Sequence, residues 1–364
     1  MQILQSLETA RRIVSKKRMK PVFLIFNVTN RCQSKCITCF AWDYLNKDVD
    51  KELTLDEIEK LAANFGHLQW LLLTGGEPFL RPNIDEVIAV FYRTNHARRV
   101  TIPTNGIVAK HVVDAVHKIF AKCPDLNLNI SLSCDGIGEM HDKIRGFKNN
   151  FRLLEETYRQ LAELKEQYPK LSLNMNTCLN NVNIKQIDEI LDYIPKHFPA
   201  LDFHGFEILR GVSRAKEMHV ETPPIAEAEE ALKKIHKYWE HYDFYRMNKG
   251  KIVRAAKILS RDIEFDILKK QKRTQRCFAG SVSGVVYATG DVAVCELIPP
   301  MGNIRDAHFN LEKIWFSEKA DNIRASIKKL SGSCQTCTHS CFMISSIFYD
   351  PMLYPKLFMY MFRS

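Results

Sequence analysis

The sequence lacks the long apolar run that a membrane-spanning helix needs. None of its 364 residues falls in a stretch of the roughly 18 uninterrupted apolar positions such a helix requires. The opening MQILQSLETARRIVSKKRMK has no apolar core and no small-residue cleavage site, so no secretory leader is expected. Internal repeats and low-complexity tracts are also missing, which excludes solenoids and long disordered linkers. Between Phe40 and Gly66 there is neither a histidine nor a cysteine. What the chain does have is cysteine, 11 in all. An odd number in short clusters reads as metal binding in an intracellular protein rather than a disulfide framework. Lys and Arg number 52 against 42 Asp and Glu, a net charge of +10. That excess favours an anionic partner, such as a phosphorylated substrate or an anionic membrane surface. No nucleic-acid recognition module is visible, so nucleic acid is not expected.

Hydrophobic periodicity alternates strand and helix. PVFLIFNV, LQWLLLT, ARRVTIPT, LNLNISLS, LSLNMNT and LDFHGFEIL read as strands. Helical segments separate them; LTLDEIEKLAANF carries Thr54 as N-cap and Glu57 three residues on. Six such units in order predict an α/β fold with a parallel sheet, either an arc of barrel or doubly wound. In both, sites form at the C-terminal ends of the strands. There the chain places Cys32, Cys36 and Cys39, then Gly75, Gly76 and Glu77, then Thr104, Asn105 and Gly106, then Ser133, Cys134 and Asp135, and finally Thr177 and Cys178.

Three cysteines in TNRCQSKCITCF are one short of a closed structural zinc site, which takes four protein ligands. Three thiolates on a four-iron cube leave one iron open to a cofactor or substrate. Cys32-x3-Cys36-x2-Cys39 resembles the signature of the radical S-adenosylmethionine (AdoMet) enzymes. The resemblance covers roughly residues 22–209 and implies a partial (β/α)6 TIM-type barrel. It also implies that the open iron of a [4Fe–4S] cluster binds AdoMet, that one electron cleaves the sulfonium, and that a 5′-deoxyadenosyl radical abstracts hydrogen from substrate. A flavodoxin- or ferredoxin-type donor would supply the electron. By the same resemblance Gly75-Gly76-Glu77-Pro78 meets the methionine amino group. Thr104 and Asn105 of PTNG stand at the strand-three element. Ser131, Ser133 and Asp135 of SLSCDG reach the ribose and carboxylate. Arg145 of HDKIRG pairs with the cofactor carboxylate, and Phe40 packs near the adenine. Thr38 departs from the aromatic common before the last cysteine. Cys134 and Cys178 are carried as candidate catalytic thiols, donating a hydrogen atom if they face substrate and filling the core if they do not. Cys123 reads as structural.

A second set follows: Cys277, Cys295, Cys334, Cys337 and Cys341. SGVVYATGDVAVC reads as a hairpin turning at Gly290. The C-x12-G-x4-C spacing resembles the SPASM or twitch extension of radical enzymes, a small α+β auxiliary-cluster domain. The full SPASM set needs about seven thiols, so one auxiliary [4Fe–4S] cluster is expected. Cys277, Cys295, Cys334 and Cys337 are its first-choice ligands, with Cys341 as spare, replacement or part of a second site. A zinc knuckle on the same thiols is the non-catalytic alternative.

The expected organisation is a basic amphipathic helix over 1–20, the barrel over 21–210, a basic helical linker over 211–276, the cluster domain over 277–342 and an aromatic tail over 343–364. The run from Lys249 to Arg276 reads as a solvated helix face, with reception of phosphate groups as the alternative. The tail, MISSIFYDPMLYPKLFMYMFRS, either covers the protein or lies on an anionic bilayer. The location expected is cytoplasmic, with peripheral contact on the inner face of the membrane. Two substrate classes compete: a membrane-associated lipid or isoprenoid, and a ribosomally made peptide. The barrel's start near Pro21 is expected to leave no room for a peptide-recognition module before it.

Overall fold

The computed structural model describes residues 19–210, 219–240, 242 and 250–362. The expected helix over 1–20 lies almost entirely outside them.

The six expected strands form: β1 (Phe23–Thr29), β2 (Trp70–Gly75), β3 (Arg99–Thr104), β4 (Asn127–Ser133), β5 (Leu171–Leu179) and β6 (Phe203–Ile208). Each pairs in parallel with the next, in the order β6-β5-β4-β3-β2-β1. The crossovers are α1 (Leu55–Asn64), α2 (Ile84–Thr94), α3 (Ala109–Lys122), α4 (Glu139–Arg145) with α5 (Asn150–Gln167), and α6 (Ile187–His197). Thr54 caps α1 in a full capping box with Glu57, as its spacing predicts.

Burial alternates along β5 and explains the shape. Leu171, Leu173 and Met175 are buried outward against the helices. Ser172, Asn174, Asn176 and Cys178 keep partial exposure on the other face, which is the barrel lumen. The lumen is therefore polar and partly exposed on its β4–β5 side, while Phe23, Ile25, Trp70 and Leu72 fill the same face at β1 and β2, and the main apolar core lies between sheet and helices.

The C-terminal hairpin does not stand apart from the barrel. After α7 (Ile225–Trp239) and α8 (Gly250–Lys270), strand β7 (Ser283–Val286) pairs in parallel with β1. Then β8 (Asp291–Ala293) and β9 (Gly302–Asn303) continue antiparallel, giving one nine-stranded sheet. Gly290 makes the turn at φ +92°. The helices α9 (Leu311–Trp315), α10 (Glu318–Lys328), α11 (Ser340–Tyr349) and α12 (Tyr354–Met361) complete the described chain.

Arg305 ties this region to the barrel. Its guanidinium meets both oxygens of Glu57, at 2.6 and 2.8 Å, and donates to the Lys51 and Thr289 carbonyls. The Arg305 hydrogen bond holds the Glu57 carboxyl at about 2, below its usual 4.5. A depressed carboxyl stabilises fully above the unfolded value and loses that contribution as pH falls through the folded one. Glu57→Gln is therefore expected to cost about 1–2 kcal/mol at neutral pH. Urea unfolding of the two proteins should converge as pH is lowered from about 4.5 towards 2.

The tail packs on the protein. Met343, Ile347, Leu353 and Leu357 bury against Ala255, Ala256, Leu259, Ile263 and Ile267 of α8. The basic run is not a solvated face throughout: Ser260, Arg261, Glu264 and Arg273 are buried. Periodicity marked α8 as helical but could not show that both its apolar and its charged faces are covered.

Candidate functional site

The loop after β1 is held from three sides. Cys32 N–H donates to Asn46 Oδ1 and Asn46 Nδ2 returns the bond to the Cys32 carbonyl, both at 2.9 Å. The loop also pairs with the end of α4, through Lys35 N–H to the Arg145 carbonyl and Ile37 N–H to the Ile144 carbonyl. From below come Gly75 and Gly76. A Cβ on Gly75 would sit 2.3 Å from the Thr29 carbonyl oxygen, and one on Gly76 2.1 Å from that of Arg31. Only glycine permits that approach. The amides of Gly76 and Glu77 then donate to those same carbonyls. Gly76→Ala should push the cysteine loop away and weaken AdoMet binding by about tenfold or more, roughly 1.4 kcal/mol. Equilibrium dialysis of reconstituted enzyme measures it.

Cys32, Cys36 and Cys39 form no disulfide, and each is partly exposed. Burial pushes the Cys32 thiol up to about 12; Cys36 is raised by burial too, and each feels another loop thiolate. The Arg145 charge acts on both in the opposite sense. Among the described residues, no three Cys, His, Asp or Glu groups close around a single ion.

Arg145 Nη1 donates to Asp135 Oδ2 at 3.1 Å, while its buried Nε has no partner. Asp135 Oδ1 accepts from the Cys178 amide at 2.8 Å. Glu77 is buried; its Oε1 accepts from Phe79 N–H and the Thr104 hydroxyl, its Oε2 from Asn105 N–H. Burial pushes this carboxyl up to about 6 against those bonds. Asp135 and Glu77 thus brace the strand ends, whatever else they contact. Pro78 and Ser131 are buried and Ser133 partly so. The amide of Gln33 is buried with neither atom bonded, beside Glu77 and Asn105. The sequence reading missed Gln33, although its place inside the cysteine loop was the available signal.

The second thiol set converges. Burial raises the Cys277, Cys295 and Cys334 thiols; among their neighbours, Cys337 acts on all three and Cys277 on the other two. Leu297 N–H lies 3.5 Å from the Cys295 sulfur and His339 N–H 3.4 Å from that of Cys337. Amide donors to thiolates of this kind tune iron–sulfur centres. Cys341 is different: after burial, its neighbours are Glu207, Arg210 and Glu296, with no thiol among them.

Family models match this chain twice: the radical SAM superfamily over residues 26–194, and the SPASM iron–sulfur cluster-binding domain over 277–338. The chain is a radical SAM enzyme with a SPASM domain. It is 25% identical over 342 residues to the AdoMet-dependent heme synthase of Methanosarcina barkeri, covering 88% of this chain and 89% of that protein. It is 26% identical over 290 residues to an uncharacterized protein of Methanocaldococcus jannaschii, covering 78% and 88%. A 31% match to Fe-coproporphyrin III synthase of Methanosarcina barkeri covers 52% of this chain and only 44% of that protein. Among solved structures, anSMEcpe with bound AdoMet superposes at a TM-score of 0.58 with 17% identity, covering 93% and 97%. Streptococcus suis SuiB bound to S-adenosylmethionine does so at 0.60 with 15% identity, covering 92% and 76%. Those structures share the fold.

Membership brings a [4Fe–4S] cluster, AdoMet and auxiliary iron–sulfur chemistry. The residues present fit. Three part-exposed thiols outside any disulfide stand on the loop after β1, and the orphaned Arg145 Nε–H beside them is a donor left for a carboxylate. Phe40 is partly exposed, with the Arg210 guanidinium 5.2 Å above its ring. Cys134 does not fit a substrate-facing role. It is fully buried in the apolar core, its thiol on the Gly136 carbonyl, because it points outward where its neighbour Ser133 points inward. Cys178 points into the lumen, partly exposed. Cys123 is buried core. None of the described helices is long and apolar enough to cross a membrane.

Proposed function

We propose that the chain binds its AdoMet-cleaving cluster through Cys32, Cys36 and Cys39 and activates a carbon of a substrate held in the lumen. When bound, that group supplies one electron to break the sulfonium S–C5′ bond, releasing methionine and a 5′-deoxyadenosyl radical that takes a hydrogen atom from substrate. The carrying observation is the set of three part-exposed thiols on the loop after β1, beside the unpartnered Arg145 Nε. Arg145 receives the cofactor carboxylate while Asp135 fixes its orientation. Gly75 and Gly76 bring backbone close to the methionine end, with Glu77, Pro78, Thr104, Asn105, Ser131 and Ser133 lining the strand ends. Phe40 supports the adenine, and Cys178 is the one strand-end thiol placed to meet substrate.

Cys277, Cys295, Cys334 and Cys337 would hold one auxiliary cluster, which would supply an acceptor for the product radical's electron or a site for substrate, leaving Cys341 outside the set. A flavodoxin- or ferredoxin-type protein is the proposed donor. Cys334→Ala should spare AdoMet cleavage without substrate and stop substrate turnover, read as 5′-deoxyadenosine formed with and without product. Iron and sulfide analysis separates this reading from zinc at the same thiols.

For the substrate, a lipid or isoprenoid at an anionic membrane is the reading we favour. The support is the outer face of α12 and the turn before it, where Met352, Phe358, Met359 and Phe362 are 57–75% exposed. Lys356 stands on the same exposed stretch. Removing residues 343–364 should abolish flotation with anionic liposomes; unchanged flotation would favour a peptide substrate, for which the likeness to SuiB supplies a fold and nothing more.

A further inference from the structure

Helix α8 carries a second set of polar groups into the protein. Lys257, Ser260, Arg261 and Glu264 are spaced to share one helix face. Ser260 and Glu264 are fully buried and Arg261 nearly so. Arg261 spans both oxygens of Glu264 at 2.7 and 2.5 Å, and the Ser260 hydroxyl donates to Glu264 at 3.0 Å. Opposite them on β6, Glu207 pairs with Arg210 at 2.5 Å and accepts from Asn176 at 3.4 Å. Near the start of α11, Glu296 pairs with His339 at 2.9 Å.

Three carboxylates therefore each have a partner: Glu207 with Arg210, Glu264 with Arg261, Glu296 with His339. Lys257 is the member left over. Its ammonium sits 3.1 Å from the centroid of the Phe203 ring, and no carboxylate among the described residues forms an ion pair with it. Burial, and then the Arg261 charge, push its amine down to about 7, with the Glu207 carboxylate acting in the opposite sense. Lys257 keeps partial exposure, yet a cation drawn into a protein without an ion pair is costly, and an aromatic face offsets only part of that cost.

Two unpartnered polar atoms and the inner face of the sheet lie around it. Phe203 stands beside Asn174 in the register of the lumen face, and the buried Asn174 Oδ1 has no partner. Higher up, the buried Arg210 Nε is also unpartnered. Thr101, Asn129, Asn174 and Asn176 all keep partial exposure on the inner face, so the lumen admits solvent.

We propose that Lys257 is the lumen's anion seat, receiving a carboxylate or phosphate group at one end of the substrate. Phe203 lies four residues below Glu207, which stands beside Cys178 at the rim. At 3.3 Å per residue the seat is about 13 Å beneath the strand ends. The substrate is thus an elongated molecule whose acidic end reaches down while its reacting carbon stays near the mouth. This rests on the radical reading of the neighbouring site.

Trace acetylation of reconstituted enzyme with acetic anhydride at neutral pH, read by peptide mass spectrometry, tests it without a variant. Acylation consumes the free amine, so an anion that raises the amine's affinity for its proton slows labelling. For an amine that titrates near the labelling pH, half a unit roughly halves the free-amine fraction, about twofold protection. Glutarate or inorganic phosphate, at constant ionic strength, should protect Lys257 by about that factor or more and leave the exposed Lys118 and Lys233 unchanged. Protection by glutarate alone assigns a carboxylate, and by phosphate alone a phosphate. No protection by either, or equal protection by uncharged glutaramide, overturns the proposal. 5′-Deoxyadenosine formation by the same preparation tests the radical reading separately, since the labelling requires no turnover.

Discussion

Cys36→Ala enzyme, reconstituted anaerobically with iron and sulfide and then reduced, is expected to form no 5′-deoxyadenosine above the reagent background. Cys36 is the middle one of the three proposed ligands and the one whose neighbours include Cys39, Asp135 and Arg145. With two thiolates left, the four-iron cube loses its hold on the chain. The loss expected is about a thousandfold or more, over 4 kcal/mol in the barrier. The fold should survive, since Cys36 is a partly exposed loop residue and the clasp between Cys32 and Asn46 does not involve it. Unchanged circular dichroism beside absent product separates lost chemistry from lost structure.

Arg145→Met is expected to have the next largest effect, on stability as well as chemistry. Its guanidinium is the described partner of the buried Asp135 carboxylate, which also holds the Cys178 amide. Removing one member of a buried pair leaves the other charge uncompensated, which costs about 3–5 kcal/mol. Methionine retains the packing volume, so a cavity is not the cause of the loss. Thermal unfolding measures the stability change. Weakened AdoMet binding in a variant that is still folded identifies the part played by the orphaned Nε.

The barrel was legible in the chain because its strands are buried on the outer face and its helices are amphipathic. Pattern and placement therefore agree within two residues for most strands. The cysteine loop and the glycine pair were legible because their chemistry is local. Three thiols in eight residues and two adjacent glycines after a strand each have few other uses. What sequence spacing hid was long-range pairing. Nothing in SGVV announces that β7 joins β1, since a short apolar strand fits many edges. Cys134 and Cys178 looked alike at their strand ends, and the pleat sends one into the core and the other into the lumen. Lys257, Arg261 and Glu264 read as a solvated stripe because basic helix faces usually are. Their i, i+4, i+7 spacing was the signal that they act together, but only the tail packed on the opposite face shows that the stripe points inward. The setting of Cys341, beside Glu207 and Arg210, depends on where α11 begins and no cysteine count reveals it.

The central claim is that one iron on the Cys32, Cys36 and Cys39 loop has no protein ligand and is taken by AdoMet. Electron–nuclear double resonance on the reduced enzyme, with AdoMet carrying 15N in its amino group and 17O in its carboxylate, tests this most directly. The account predicts hyperfine coupling to both labels. A reduced cluster that shows coupling to neither label, or a loop that binds zinc, would contradict it.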